Sequence, residues 1–115
     1  MHELGIANSV FEAVNQEMRR HAGARPCKVG LRVGEWAGVD PEALRFCFES
    51  IVKDTPFEPL VLEIETCPRQ QRCIGCGQTF RVVDYDTTCP RCRSNETECI
   101  GGAELELSFV ELEEV

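Results

Sequence analysis

LVLEIE, residues 60–65, and AELELSF, residues 103–109, alternate apolar with acidic or polar side chains, and a period of two marks a half-buried strand. Leu60, Leu62 and Ile64 form the apolar face of the first, and Ala103, Leu105, Leu107 and Phe109 that of the second. Residues 68–99 between them carry five arginines against four acids, whereas the rest of the chain carries seven bases against sixteen acids. Two strands with matching apolar-in, acid-out faces around a segment of different composition make that segment a module inserted between neighbouring strands.

Working outward, Leu4, Ala7, Phe11, Val14 and Met18 recur at spacings of three and four, the pattern of an amphipathic helix. It is expected to stop near Gly23, with Arg19, Arg20 and His21 set favourably against the helix dipole. Lys28 to Val33 alternate as a strand with Val29, Leu31 and Val33 on one face. Asp40-Pro41 reads as an N-cap followed by proline at the first helical position, and Leu44, Cys47, Phe48, Ile51 and Val52 form the core stripe of a second helix. Pro56 and Pro59 end it. The fold expected is α+β: a small αβαββ layer, two helices on a three-stranded sheet, with an inserted zinc-ribbon-like finger. The domains expected are 1–67 plus 100–115, and 68–99.

Composition narrows the function. A chain of 115 residues, 43% of them apolar, can bury one core but leaves no room for a large enzyme. A formal charge of −8 repels phosphate backbones and anionic lipids, so neither nucleic acid nor a membrane surface is an expected partner. No stretch approaches the roughly 20 apolar residues of a membrane span, and Met1-His2-Glu3-Leu4 lacks a basic region followed by an apolar run, so a cytoplasmic location is expected. In that reducing compartment eight cysteines point to metal ligation or free thiols and not to disulfides.

Cys73-Ile74-Gly75-Cys76 and Cys89-Pro90-Arg91-Cys92 are two Cys-x-x-Cys knuckles separated by twelve residues, a spacing that aims four thiolates at one tetrahedral zinc ion. Four thiolates leave no open position for water, so the site is structural and not hydrolytic. The segment between the knuckles is too small to form a core, and metal ligation must supply its folding energy. The finger's arginines read as partial neutralisation of the thiolates. Cys47 sits on an apolar helix stripe as a small core residue. Cys27, Cys67 and Cys99 read as free thiols, although Cys67 and Cys99 bracket the finger and leave a second site open.

His2 offers a different chemistry. The α-amine of Met1, the amide nitrogen of His2 and its imidazole Nδ1 can close two adjacent chelate rings on one ion, with the Glu3 amide next in line. Planar nitrogen ligation selects nickel(II) or copper(II) over zinc. A histidine in that position is equally compatible with an exposed, inert side chain, and His21 reads as a solvated residue at a helix end.

Taken with the stretch Val39-Asp40-Pro41-Glu42-Ala43-Leu44-Arg45-Phe46 and the paired Cys-x-x-Cys finger, the opening Met1-His2-Glu3-Leu4 resembles the HypA/HybF family of hydrogenase nickel metallochaperones over the whole chain. The resemblance implies a non-catalytic protein that binds nickel(II) transiently and delivers it during maturation of [NiFe]-hydrogenase, or of another nickel enzyme such as urease. It implies nickel ligation at His2 and Glu3, with the Met1 amine and Asp40 as further candidates, and structural zinc at Cys73, Cys76, Cys89 and Cys92. The implied partners are a HypB-type GTPase and the hydrogenase large subunit, and the expected state is a monomer or weak homodimer. The competing reading is a zinc-ribbon adaptor or nucleic-acid-binding module. An enzyme is not expected, because the chain shows no nucleophile and base arrangement and no glycine-rich phosphate loop.

Overall fold

Of the chain, the computed structural model describes residues 2–115. Its elements run α1 (Glu3–Met18), β1 (Ala24–Gly34), α2 (Pro41–Val52), β2 (Val61–Cys67), β3 (Gln70–Cys73), β4 (Thr79–Arg81), β5 (Thr97–Gly101) and β6 (Leu105–Glu114). They form two three-stranded sheets, ordered β2-β1-β6 and β4-β3-β5. The chain divides into two compact units, one of residues 2–32, 38–65 and 106–115, the other of Val33–Ala37 and Thr66–Leu105.

In the first unit Ile6, Ala7, Val10 and Val14 of α1 and Leu44, Phe48 and Val52 of α2 are buried, as are Val29, Leu31 and Leu62 of the sheet. Of the stripe expected on α1 only Ala7 and Val14 are buried, Phe11 and Met18 are half-buried and Leu4 is exposed, because Ile6 and Val10 take the inner face. The helix α1 ends where its periodicity ends and short of the stop expected near Gly23. It ends at Met18, the N–H groups of Arg19, Arg20 and His21 donate to carbonyls three residues back, and Gly23, at φ +86°, turns the chain into β1. Asp40 caps α2 as expected, its Oδ1 accepting from the N–H groups of Glu42 at 3.0 Å and Ala43 at 3.4 Å. Phe48 is fully buried, so Phe48→Ala is expected to lower stability by about 3–5 kcal/mol, read as a shifted urea midpoint at unchanged slope.

Two expectations about the sheet need correction. The strands flanking the cysteine module are not neighbours, because β1 lies between them and pairs with both. The reason lies in side-chain burial: β1 has buried residues on both faces, including Gly30 beside Val29 and Leu31, and such a strand belongs at the centre of its sheet. The second correction concerns β6. A Cβ at Gly30 would overlap the Phe109 ring, so Phe109 packs on the face of Gly30, opposite the face that carries Val29 and Leu31. Phe109 therefore remains 40% exposed, and Leu107 is 41% exposed, whereas Leu60 and Leu62 are buried as predicted. Replacing Gly30 by valine should displace Phe109 and destabilise the sheet, visible as changed exposure of Phe109 and a lowered melting temperature.

The second unit is built around β3, which pairs antiparallel with β4 (Gln71 opposite Phe80) and with β5 (Gln71 opposite Cys99). Residues 33–37 are hydrogen-bonded into it. The N–H groups of Gly34 and Trp36 donate to the carbonyls of Glu104 and Gly102, both at 2.7 Å, and that of Glu35 donates to Cys67 at 2.8 Å. The Glu35 carboxylate accepts the Arg69 N–H at 2.6 Å and lies 3.5 Å from the Arg81 guanidinium. The Arg69 guanidinium lies 3.5 Å over the Trp36 ring, which also meets Tyr85, centroid to centroid 5.8 Å.

Candidate metal centre

The two knuckles share one local geometry. The N–H of Gly77 donates to the Cys73 carbonyl at 2.9 Å and that of Arg93 to the Cys89 carbonyl at 2.8 Å, and these two residues, each following the second cysteine of its pair, take φ of +80° and +67°. Turns of this kind fold each Cys-x-x-Cys back on itself and aim both sulfurs the same way. Glycine suits the first turn without strain; Arg93 occupies the corresponding left-handed position at a cost of about 1 kcal/mol.

The four sulfurs of Cys73, Cys76, Cys89 and Cys92 lie within 4.8 Å of one another. Cys73 and Cys92 approach to 3.5 Å, and Cys76 and Cys89 to 3.7 Å. An ion bound tetrahedrally at ~2.3 Å from each sulfur needs sulfur pairs about 3.8 Å apart, so the residues fit a four-thiolate ion. Cys73 and Cys89 are buried and Cys76 and Cys92 exposed, which closes one side of the site and leaves the other at the surface. Among the described residues this is the sole cluster of three or more potential ligands. None of the eight cysteines forms a disulfide.

Without a metal the thiols share protons unevenly. Cys89 is pulled down to about 6, first by the N–H of Cys92, against the opposing effect of burial. Cys73 is lowered as well, first by the N–H of Cys76, which donates to its sulfur at 3.5 Å. At Cys92 the Ser94 N–H acts in the same direction, but hydrogen bonding with Cys73 and burial outweigh it and push the thiol up to about 11. The cluster thus already holds thiolate character, supplied by main-chain donors.

Three of the finger's five arginines have partners other than the thiolates. Arg72 pairs with Glu98 at 2.7 Å, Arg81 faces Glu35, and Arg69 stacks on Trp36. They link strands and fix residues 33–37, which is a packing role. Gln71 is buried beside them, its Nε2 donating to Thr97 at 3.0 Å. Nothing in the periodicity marked Glu35 or Trp36 as part of this unit, since both fall in what reads as a turn.

At the other end of the chain, His2 is exposed and forms the N-cap of α1 with an extended backbone, and its side chain makes no capping hydrogen bond. Its carbonyl accepts the Ile6 N–H at 3.2 Å, while the first amides of the helix have no partner within it. The Glu3 carboxylate accepts the N–H of Asp40 at 3.1 Å, and that bond, followed by its own main-chain N–H, holds its pKa below the usual carboxylate range. Asp40 therefore meets Glu3 through its backbone while its side chain caps α2. The Met1 amine lies outside the described residues. Because Glu3 titrates below the ordinary value in the folded protein, its tie to Asp40 is present above that range and is lost as pH falls through the lowered value. The Asp40 amide chemical shift, followed through acid titration of the metal-free protein, should report this midpoint, and Glu3→Gln should abolish it.

No helix among the described residues is long and apolar enough to cross a membrane. The model of the family described as "Hydrogenase/urease nickel incorporation, metallochaperone, hypA" matches residues 1–112. The hydrogenase maturation factor HypA of Chlorobaculum parvum is 35% identical over 98% of this chain and 100% of its own, and that of Pelodictyon phaeoclathratiforme 36% identical over 99% and 97%. The solution structure of the nickel metallochaperone HypA from Helicobacter pylori superposes with a TM-score of 0.65 at 20% identity, covering 96% of this chain and 97% of that one, and a second HypA solution structure with 0.71 at 21%, covering 96% and 95%. These superpositions establish the α+β fold. The whole-chain family match and the relatives at 35% and 36% identity place this chain in the HypA family of hydrogenase maturation metallochaperones, a family of metal carriers and not of enzymes.

Proposed function

We propose that this chain carries nickel(II) at its N-terminus, on His2 with Glu3, and delivers it to the large subunit of a maturing [NiFe]-hydrogenase in the cytoplasm, with a HypB-type GTPase as partner. The observation that carries the reading is family membership over residues 1–112, joined to an exposed His2 imidazole that takes no part in capping α1. At a helix N-terminus the His2 and Glu3 amides have no main-chain partner within the helix, the Glu3 N–H meeting only its own carboxylate, so their nitrogens are accessible to a metal that can displace the amide protons. The positive end of the helix dipole favours the anionic nitrogens so formed. Asp40 acts as the positioning residue for Glu3 through its main-chain N–H.

In the same reading Cys73, Cys76, Cys89 and Cys92 hold zinc. Four soft thiolates in tetrahedral array suit zinc, whereas nickel(II) delivered to an enzyme calls for a site that can be emptied. Zinc closed on four sulfurs supplies structure and no chemistry. Urease is a second possible client, in keeping with the family description.

Equilibrium dialysis with metal quantification tests the reading. One tightly held zinc and one weaker nickel per chain are expected, and zinc without nickel would overturn the carrier function. The GTPase complex is expected to form through the first unit, whose fourteen acids against seven bases make association salt-sensitive. Co-purification that survives charge reversal of Glu12 and Glu17 but fails on changes confined to residues 68–99 would move the interface.

A further inference from the structure

The order β2-β1-β6 gives β6 a hydrogen-bonded neighbour on one side only. Along its ten residues, Leu105–Glu114, the other side offers main-chain donors and acceptors to any strand that lies alongside. Next to it runs a groove of about 460 Å³, lined by Ala13, Glu17 and His21 on the α1 side and by Leu107, Val110 and Leu112 of β6. Ala13 and Glu17 lie one turn apart on α1, and His21, just beyond the helix end, has its Nε2 3.3 Å from Glu17. An edge strand with an apolar groove between it and a helix is the arrangement in which an extended peptide adds a strand and places alternate side chains in the groove.

Charge decides what can lie there. The strand carries Glu106, Glu111, Glu113 and Glu114 and no base. Arg32 and Arg25 pair with Glu106 and Glu113, each at 2.6 Å, while Glu111 and Glu114 form no ion pair among the described residues. A second copy of the chain would set these acids against their own kind, and like charges facing across a strand pair are destabilising. The opposite edge, β2, is seven residues long and has Pro59 in the smaller groove beside its start, so it is a poorer template.

We propose that β6 and the groove beside α1 are a docking edge for an extended protein segment whose residues alternate between apolar and basic. The apolar side chains enter the groove against Ala13, Val110 and Leu112. The basic ones, on the opposite face of the added strand, meet the row that holds Glu111 and Glu113. The inference does not rest on nickel binding, and its test reads neither nickel nor activity.

The probe is a synthetic peptide of about ten residues alternating valine and lysine, titrated at low ionic strength into the full chain with its native metal content, with a valine and glutamate peptide as control. Chemical-shift changes and slowed amide exchange are expected in β6 and residues 13–21 and not in β2. The acidic peptide should bind at least about tenfold more weakly, and added salt should weaken the basic one. Ala13→Trp, which places a ring in the groove, should weaken binding about tenfold at unchanged melting temperature. If that variant alters folding, the double change Glu111→Lys with Glu114→Lys, at exposed positions, serves instead and should reverse the preference between the peptides. Equal binding of both peptides, perturbation centred on β2, or unchanged affinity of a folded groove variant together with an unreversed preference in the double variant overturns the proposal.

Discussion

Cys73→Ala is expected to release the bound metal and unfold residues 66–105. Cys73 is 1% exposed, its sulfur faces that of Cys92 at 3.5 Å, and its carbonyl and N–H anchor the first knuckle to Gly77 and Gln78. The second unit has little else to hold it: its strands β3, β4 and β5 are four, three and five residues long, and its buried side chains include the ligands Cys73 and Cys89 themselves. Binding of a structural zinc contributes roughly 10–16 kcal/mol in small zinc-dependent peptides, more than the whole stability of an ordinary domain of this size. Loss of zinc by metal quantification, with collapse of amide dispersion confined to the second unit, would bear the expectation out. A Cys73→Ala protein with full zinc occupancy and a native melting profile would show that the ligand set lies elsewhere. A chelator of sufficient affinity should reproduce the unfolding in the unmodified chain and leave α1 and α2 intact.

The cysteine knuckles were legible in the sequence because Cys-x-x-Cys is a local motif, and a local motif does not depend on how the sheet is ordered. The helices were legible for the same reason: Leu4 to Met18 and Leu44 to Val52 each carry their own period. What periodicity could not give was partnership. The Leu60 and Leu105 strands have the same alternation, yet β1 separates them, and the Phe109 ring packs over Gly30, where β1 has no side chain. Residues 33–37 have no period at all. Their place in the second unit follows from three main-chain hydrogen bonds and from Trp36 beneath Arg69, contacts that join residues more than thirty positions apart. Composition was limited in a related way, since it counts charges and cannot show that Arg72 pairs with Glu98 and Arg81 with Glu35.

The N-terminus shows the same division. Its donor set is a matter of covalent order, so His2 stands out from its position in the chain alone, whereas the hydrogen bond from Asp40 to Glu3 spans thirty-seven positions and is a product of folding. That bond ties the start of α1 to the start of α2, and it would give the proposed nickel site a defined first turn in place of a fraying end.

His2→Ala is accordingly expected to abolish nickel binding while leaving zinc content and fold unchanged. The side chain is exposed, caps nothing and precedes the first buried residue, Ile6, so its loss removes an imidazole and little packing. His21, the other histidine, pairs with Glu17 in the first unit and has no chelating neighbour of the same kind. If nickel is held by the imidazole and main-chain nitrogens, binding must displace protons, so affinity should rise with pH and nickel should leave under mild acid before the zinc thiolates are disturbed. A planar nitrogen site should be diamagnetic and show a d–d absorption that disappears with the imidazole. Residues added ahead of Met1 give the decisive control on the amine: they remove a free amino group next to His2 and keep the imidazole and the Glu3 amide. Weaker binding then assigns the amine a share in ligation, and unchanged binding removes it from the set. One nickel bound to His2→Ala protein with undiminished affinity would end the proposal, since the other potential ligands form no comparable nitrogen site.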